Sequence, residues 1–263
     1  MRPLLITIPH SGELIPVAAN WLSKLSEPVL MRDVDRYVND LYAPALATLE
    51  VPAIIATCHR YVIDLNRHNH EFDAQAVEGA PFPAGVHPKG LHWSVTTLGE
   101  TLISEPMSME THQELVLHHY DPFHEKVKSV AHDLKLKDDV FHLDLHSMPS
   151  QGTAMHNDPG GVRADVVISD FHGKSARVDF VELIKKAYTD AGFTISYNWP
   201  YFGGGITQMY GRPDEKHHTV QVELNRALYM DEVTKKKSAR FHETQNKLTI
   251  AIRAIVQSLG QIS

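Results

Sequence analysis

Residues 3–13 read PLLITIPHSGE and join a strand-like run to a turn with two potential metal ligands. The first five residues of the stretch are apolar or β-branched, which predicts a short buried strand over residues 3–7. A proline and a glycine then end regular structure. We therefore expect His10 and Glu13 at a strand end, where a neutral imidazole and a carboxylate can both bind zinc.

The size and composition of the chain are typical of a globular protein with a sizeable core. Its 263 residues suit one large α/β domain, and 43% are hydrophobic and 22% charged. The net charge of −7, with no long run of either sign, argues against a nucleic-acid surface, which needs clustered Lys and Arg. We expect a single domain over residues 1–263 and no nucleic-acid partner.

The residue pattern also bears on the compartment. A single cysteine, Cys58, excludes an internal disulfide and gives no sign of an oxidising compartment. The N-terminal apolar run is too short for a secretory signal. No apolar stretch approaches the ~20 residues that a membrane helix needs. We expect a cytoplasmic protein with no membrane partner, whereas nothing in the pattern indicates an oligomeric state.

Strand-like and helix-like segments alternate along the chain. Runs of apolar or alternating residues predict strands over residues 3–7, 51–57, 140–146, 164–168, 193–197 and 219–224, with a further short strand within 60–67. Apolar residues at helical spacing predict helices over residues 28–49, 109–136, 175–191 and 234–259. Residues 71–99 are rich in Pro and Gly, and we expect this long loop to cover part of a site. The pattern predicts an α/β fold: a mixed, mostly parallel sheet with helices on both faces.

Polar side chains cluster at several predicted strand ends. In such sheets ligands bind beyond the carboxyl ends of the strands, so convergence at one edge is a hypothesis that the strand order must decide. Two histidines and one carboxylate form a catalytic zinc set, and another carboxylate can take a proton from water. A guanidinium can bind a substrate carboxylate through two parallel hydrogen bonds. The clusters are His10/Glu13, Asp64/Asn66/Arg67, Asp144/His146/Ser147 and Glu223/Asn225.

Five ordered motifs between residues 6 and 232 resemble those of the N-formylglutamate amidohydrolase family. They are IPHSG (8–12), RYVIDLNR (60–67), DLHSMP (144–149), TQMYGRP (207–213) and VELNRALYMDE (222–232). That family is similar in turn to zinc carboxypeptidases and aspartoacylases. The resemblance implies a zinc-carboxypeptidase-like fold and hydrolysis of an N-acyl amino acid. The expected reaction converts N-formyl-L-glutamate to formate and L-glutamate, in histidine catabolism.

The resemblance also implies roles for individual residues. It implies that His10, Glu13 and His146 hold one zinc ion and that Glu223 is the general base. Arg67, together with Asn66, would bind the carboxylate of a small-molecule substrate. Three further polar loop residues are candidate substrate contacts, and a surface role is at least as open for each: Arg163, Tyr210 and Arg212.

Each of these residues could instead have a purely structural role. The two histidines could be buried core residues, Glu13 a turn residue and Glu223 part of an ion pair. Arg67 could form a salt bridge with Asp64. Asp144 lies two residues before His146 on the predicted strand, so its side chain points the same way. It could orient that ligand or accept backbone N–H groups.

One departure from the family pattern bears on specificity. Gln208 and Met209 occupy the positions where the family carries Arg-His. The substrate of this chain could therefore carry a different N-acyl group or be derived from a different acid. The enzyme alternatives are a zinc carboxypeptidase and a deacylase for another N-acyl acid. A third alternative is a non-catalytic protein of the same fold that binds a metal or a small anion.

Overall fold

A six-stranded sheet forms the centre of the computed structural model, which describes residues 4–261. Within those residues the strands are β1 (Leu4–Ile8), β2 (Ala53–Ile55), β3 (Val140–Met148), β4 (Val166–Ser169), β5 (Ile195–Tyr197) and β6 (His217–Asn225). Their order is β2-β1-β3-β6-β4-β5. Strands β1, β2, β3 and β6 are mutually parallel, whereas β4 is antiparallel to β6 and parallel to β5. The predicted mixed, mostly parallel sheet is confirmed.

Helices cover both faces of this sheet, as predicted. In the described part of the chain the α-helices are α1 (Glu27–Leu30), α2 (Val38–Leu49), α3 (Met109–Leu115), α4 (Asp121–Lys135), α5 (Val178–Asp190), α6 (Gly205–Tyr210) and α7 (Phe241–Ser258). Helices α2, α5 and α7 pack on one face, and α4 packs on the other. No helix of the described residues is both long and apolar enough to span a bilayer.

The two faces of the central strands differ sharply in polarity. Alternate residues of β1, β3 and β6, such as Ile6, Leu143 and Val222, belong to the core under α2, α5 and α7. Most of the residues between them, which point to the other face, are polar yet buried: Thr7, His142, Asp144, His146, Thr219, Gln221 and Glu223. Because side chains alternate along a strand, each strand supplies core residues to one face and functional groups to the other.

Several predicted elements differ from the observed ones. Pro3 lies outside the described residues, so the predicted first strand is seen only from Leu4 onward. Residues 60–67 form turns rather than a strand, and the glycine-rich stretch before Tyr210 contains the unpredicted helix α6. The last helix begins at Phe241, seven residues later than predicted, because residues 230–237 form turns and an isolated bridge.

The predicted helix over residues 28–49 is wrong in its first half, and this difference matters for the site. Residues 31–37 form turns between α1 and α2. Within these turns the backbone N–H of Asp35 donates a hydrogen bond of 2.9 Å to the carbonyl oxygen of His10. That bond fixes an acidic side chain beside the carboxyl end of β1.

Candidate active site

Three buried side chains converge beyond the carboxyl ends of β1 and β3. The Nδ1 atoms of His10 and His146 lie 3.1 Å apart. An Asp35 carboxylate oxygen lies 3.2 Å from the His146 Nδ1 and 3.6 Å from the His10 Nδ1. Side-chain exposure is only 1–2% at each of the three residues. One nitrogen or oxygen of each lies within 4.8 Å of those of the others, which is the spacing of groups that share a metal ion.

The other nitrogen of each imidazole is held by a buried carboxylate. The His10 Nε2 lies 2.6 Å from Asp64 Oδ1, and the His146 Nε2 lies 2.8 Å from Asp144 Oδ2. Because a carboxylate only accepts hydrogen bonds, each Nε2 carries a proton and each Nδ1 faces the centre of the cluster. Metal-binding histidines in proteins are oriented in this way. Asp144 therefore orients His146, one of the two roles left open by its sequence position.

The electrostatics of the cluster suit a divalent cation. Burial acts to raise the pKa of Asp35, but the neighbouring imidazoles of His10 and His146 and the charge of Arg226 hold that pKa well below its usual value. Burial acts to lower the pKa of His146, but Asp144 and Asp35 raise it well above the ordinary value. A site that attracts a proton this strongly, with two imidazoles and a carboxylate, has the donor set of a catalytic zinc centre.

The prediction that Glu13 is a metal ligand is corrected by its position. Its side chain is 41% exposed and forms a salt bridge of 2.9 Å with Arg36. The turn at Gly12 is packed tightly, since a Cβ atom there would lie 2.4 Å from the carbonyl carbon of Thr57. The chain then runs beside residues 57–59, which directs Glu13 to solvent. Asp35 occupies the third position of the cluster instead.

A cavity of about 290 Å³ opens over the cluster and includes the predicted base. Glu223 lies on β6 directly beside His146 on β3, and both side chains line the cavity. Its Oε1 accepts a hydrogen bond of 2.8 Å from Gln221 Nε2. Burial raises the pKa of Glu223, and the negative charge of Asp35 acts in the same direction, against His146. A carboxylate with a raised pKa is a better proton acceptor near neutral pH.

Two cationic side chains line another wall of the same cavity. Arg67 donates hydrogen bonds to the backbone oxygens of Lys89 and Asn66 through Nε and Nη1. No described residue accepts a hydrogen bond from its Nη2. Lys89 lines the cavity beside it, and burial together with the positive charge of Arg67 lowers the pKa of Lys89. These two cations are available to an anionic ligand.

Asn66 links the histidine cluster to the glycine-rich segment before α6. Its Nδ2 lies 3.4 Å from the His146 Nε2, and its Oδ1 accepts a hydrogen bond of 2.7 Å from the backbone N–H of Ile206. A Cβ atom at Gly204 would lie 2.2 Å from Asn66 Nδ2, so only glycine fits against this amide. Asn66 therefore lines the cavity and holds its wall together.

The three other predicted substrate contacts lie outside the cavity lining, which is a second correction. Arg163 donates two hydrogen bonds of 2.8 Å to Asp158 and one of 2.9 Å to the hydroxyl oxygen of Tyr201. Tyr210 is buried against His124, with its hydroxyl 2.8 Å from His124 Nδ1. Arg212 is exposed and caps the end of α6. Their side chains are engaged by nearby protein groups rather than directed at the cluster.

The two positions that depart from the family pattern also lie outside the cavity lining. Met209 packs against the apolar cluster under α4, on the other face of the sheet, where its sulfur lies 3.8 Å from the hydroxyl of Tyr120. The backbone oxygen of Gln208 accepts a hydrogen bond from Arg212. Neither side chain lines the 290 Å³ cavity, so these residues give no direct reason for an altered substrate.

Two important residues were not identified from the sequence. Asp35 falls in a stretch whose alternating acidic residues resemble the solvated face of a helix. Arg226, directly after β6, donates to Asp35 Oδ1 at 2.9 Å and to Ser147 Oγ at 3.1 Å. Its place in the motif VELNRALYMDE was the available signal, whereas Asp35 had none beyond its residue type.

The family model and the relatives that match this chain carry the same description, N-formylglutamate amidohydrolase or deformylase. The family model described as N-formylglutamate amidohydrolase matches residues 2–230. N-formylglutamate deformylase from Pseudomonas putida is 28% identical over 234 residues, covering 88% of this chain and 82% of the relative. The enzyme of the same name from Pseudomonas aeruginosa is 27% identical, covering 88% and 83%. The crystal structure of N-formylglutamate amidohydrolase from Ralstonia eutropha JMP134 superposes with a TM-score of 0.86 at 26% identity, covering 100% of this chain and 95% of that one.

Proposed function

We propose, from the premise that this chain belongs to the N-formylglutamate amidohydrolase family and is an amide-hydrolysing enzyme, that it deformylates N-formyl-L-glutamate. The products are formate and L-glutamate. A cavity of about 290 Å³ suits a small substrate, since it lies at the lower end of the ~300–1,000 Å³ range of small-molecule sites.

His10, Asp35 and His146 would hold one divalent cation, most simply zinc. When bound, such an ion polarises the amide carbonyl and lowers the pKa of water toward ~7. The carboxylates behind the two imidazoles keep Nδ1 of each ring aimed at the ion. Arg226 holds the second oxygen of Asp35 and limits its rotation.

Glu223 acts as the general base in this proposal. It lies beside His146 and its raised pKa favours proton uptake from the attacking water. The same carboxyl group then delivers the proton to the departing amine of glutamate. Gln221 donates to Oε1 of Glu223, which orients the carboxylate.

Arg67 and Lys89 bind the carboxylates of the substrate in this proposal. N-formylglutamate carries two of them, and the cavity wall carries these two cations with free donors. Fixing an anionic group at this wall places the formyl amide over the cluster, and such orientation contributes strongly to rate.

The single observation that carries the proposal is the convergence of two Nδ1 atoms and a carboxylate oxygen in a cavity that also contains Glu223. The test measures the metal content of the purified chain and its kcat/KM on a substrate panel. The panel contains N-formyl-L-glutamate, N-formyl-L-aspartate, N-acetyl-L-glutamate and a C-terminal glutamate dipeptide.

We expect stoichiometric divalent metal and the highest kcat/KM for N-formyl-L-glutamate. A preference for N-acetyl-L-glutamate or for the dipeptide would replace the proposed substrate while keeping the chemistry. No bound metal and no hydrolysis after zinc addition would reject the proposal as a whole.

A further inference from the structure

A row of hydrogen-bonded polar side chains runs from the histidine cluster across the buried polar face of the sheet. Asp144 binds His146 through Oδ2 and, through Oδ1, accepts a hydrogen bond of 2.7 Å from the hydroxyl of Thr7. The Thr7 oxygen lies 2.9 Å from His142 Nε2. His142 Nδ1 lies 3.3 Å from His217 Nε2.

Strand register explains why these residues meet. Thr7 on β1 pairs with Asp144 on β3, so their side chains lie side by side on the same face. His142 is two positions before Asp144 and therefore shares that face. Thr7, His142 and Asp144 are completely buried, and none of them lines the cavity.

The direction of each hydrogen bond in the row follows from the chemistry of its members. The carboxylate of Asp144 accepts from both neighbours, so the Thr7 hydroxyl gives its proton to Asp144 and its oxygen must accept one from His142 Nε2. Burial lowers the pKa of His142 to about 4, so the ring is neutral and its Nδ1 is an acceptor. That Nδ1 has two possible donors, His217 Nε2 at 3.3 Å and the Thr219 hydroxyl at 3.5 Å. Donors thus point along the row toward Asp144.

We infer that Thr7 and His142 are positioning residues that fix the carboxylate of Asp144 and, through it, the aim of His146 Nδ1. This inference rests on the proposed metal site and extends it by two residues that touch neither metal nor substrate. Packing alone does not require a polar side chain at either position. Apolar side chains of similar size would fill the same space without a buried hydrogen-bond network.

The test compares Thr7→Val, which removes the hydroxyl at nearly constant shape, with Thr7→Ser, which keeps it. Zn²⁺ affinity is measured on each purified protein by competition with a chromophoric chelator. Removing a residue that contacts a metal ligand directly typically lowers affinity by about 10- to 100-fold, and because Thr7 acts one residue further out we expect a loss near the lower end of that range in Thr7→Val. Thr7→Ser should retain affinity close to that of the unchanged protein.

Thr244→Val is the matched control. This buried threonine on α7 donates to the backbone oxygen of Leu228 on the opposite side of the sheet, so the variant loses a comparable hydrogen bond without touching the row. His142→Phe removes the donor to Thr7 while keeping a ring in place, and it serves should Thr7→Val not fold. Its expected Zn²⁺ affinity falls in the same way, while that of Thr244→Val does not change.

A second readout is independent of metal and of catalysis. The ¹⁵N chemical shifts of His142 in the metal-free protein at pH 7 should show a neutral ring protonated on Nε2. Protonation on Nδ1, or unchanged Zn²⁺ affinity in both Thr7→Val and His142→Phe, would overturn the inference. Absence of Zn²⁺ binding by the unchanged protein would instead reject the proposed function, and the ¹⁵N shifts would still test the direction of the row.

Discussion

The Nδ1 atoms of His10 and His146 lie 3.1 Å apart, although 136 positions separate the two residues in the chain. The distance is short because β1 and β3 are neighbouring parallel strands and both histidines lie near the carboxyl ends. Two imidazole nitrogens this close repel each other unless a cation or a proton lies between them. The strand order therefore produces a site that favours a positive charge. The carboxylate of Asp35 increases that preference.

The identity of the third ligand can be tested by a matched pair of charge-neutralising variants. Asp35→Asn should lower Zn²⁺ affinity by at least about 100-fold, because it removes a carboxylate oxygen that lies 3.2 Å and 3.6 Å from the two Nδ1 atoms. Glu13→Gln should leave affinity unchanged, since that side chain pairs with Arg36 at the surface. Metal competition assays on both proteins check this, and the reverse ranking would restore Glu13 as the ligand.

Glu223→Gln should retain the bound metal while kcat falls by roughly 10²- to 10⁴-fold, the usual contribution of a general base. The substitution keeps the shape of the side chain but removes its ability to accept a proton. KM should change little, because Arg67 and Lys89 remain in place. Steady-state kinetics with parallel metal analysis provide the measurement, and full turnover would remove Glu223 from the mechanism.

Arg67→Met should raise KM for N-formyl-L-glutamate by about 10- to 100-fold, which corresponds to the ~1.5–3 kcal/mol of a hydrogen bond to a charged group. Arg212→Met is the control, because that guanidinium binds backbone oxygens at the end of α6 and not the cavity. Initial rates over a range of substrate concentrations separate KM from kcat. Equal effects of the two substitutions would argue against a carboxylate site at Arg67.

The folded chain should lose stability in mild acid. Burial lowers the pKa of His92 and of His124 to about 4, against an ordinary value of 6.5. Between these values the unfolded chain binds protons that the folded chain does not. The contribution of these two histidines to the free energy of unfolding is therefore constant above about pH 7 and falls as pH drops from 6.5 to 4, by up to about 1.4 kcal/mol per pH unit for each histidine.

Urea unfolding at pH 7.5 and pH 5.5 measures this dependence. His92→Gln should reduce the difference between the two pH values, since it removes one buried titrating ring. His242→Gln is the control, because His242 is exposed at the start of α7. An undiminished difference in His92→Gln would show that other groups control the acid sensitivity.

The shared face of the strand residues in the site followed from residue pattern, whereas their roles were implied by the resemblance to the family. Alternation over residues 140–146 and 219–224 predicted which side chains of β3 and β6 share a face. The carboxyl ends of parallel strands meet at one edge, so the convergence of His10, His146 and Glu223 could be stated as a hypothesis, which the observed strand order then decided. Period-2 geometry is local, which is why it can be read from a single sequence.

The parts of the site on turns could not be predicted in the same way. Asp35 reaches the cluster through a backbone hydrogen bond to His10, a contact that no local pattern encodes. Glu13 is turned to solvent because the following residues pair with residues 57–59, which is also a long-range event. Arg163 looked free to bind substrate, but Asp158, five positions earlier, takes two of its donors.

The alternating faces of β3 set a limit on how its length can change in evolution. A one-residue deletion in β3 ahead of His142 would turn Leu143 and Leu145 toward the polar face of the sheet and would place His142, Asp144 and His146 in the apolar core under α7. Such an indel would destroy folding and catalysis in one step, whereas the exposed loop stretch over residues 83–86 can gain or lose residues without reversing any strand side chain. Diversity among descendants of this chain should therefore accumulate as loop-length variation, with the strand spacing of its histidines kept constant.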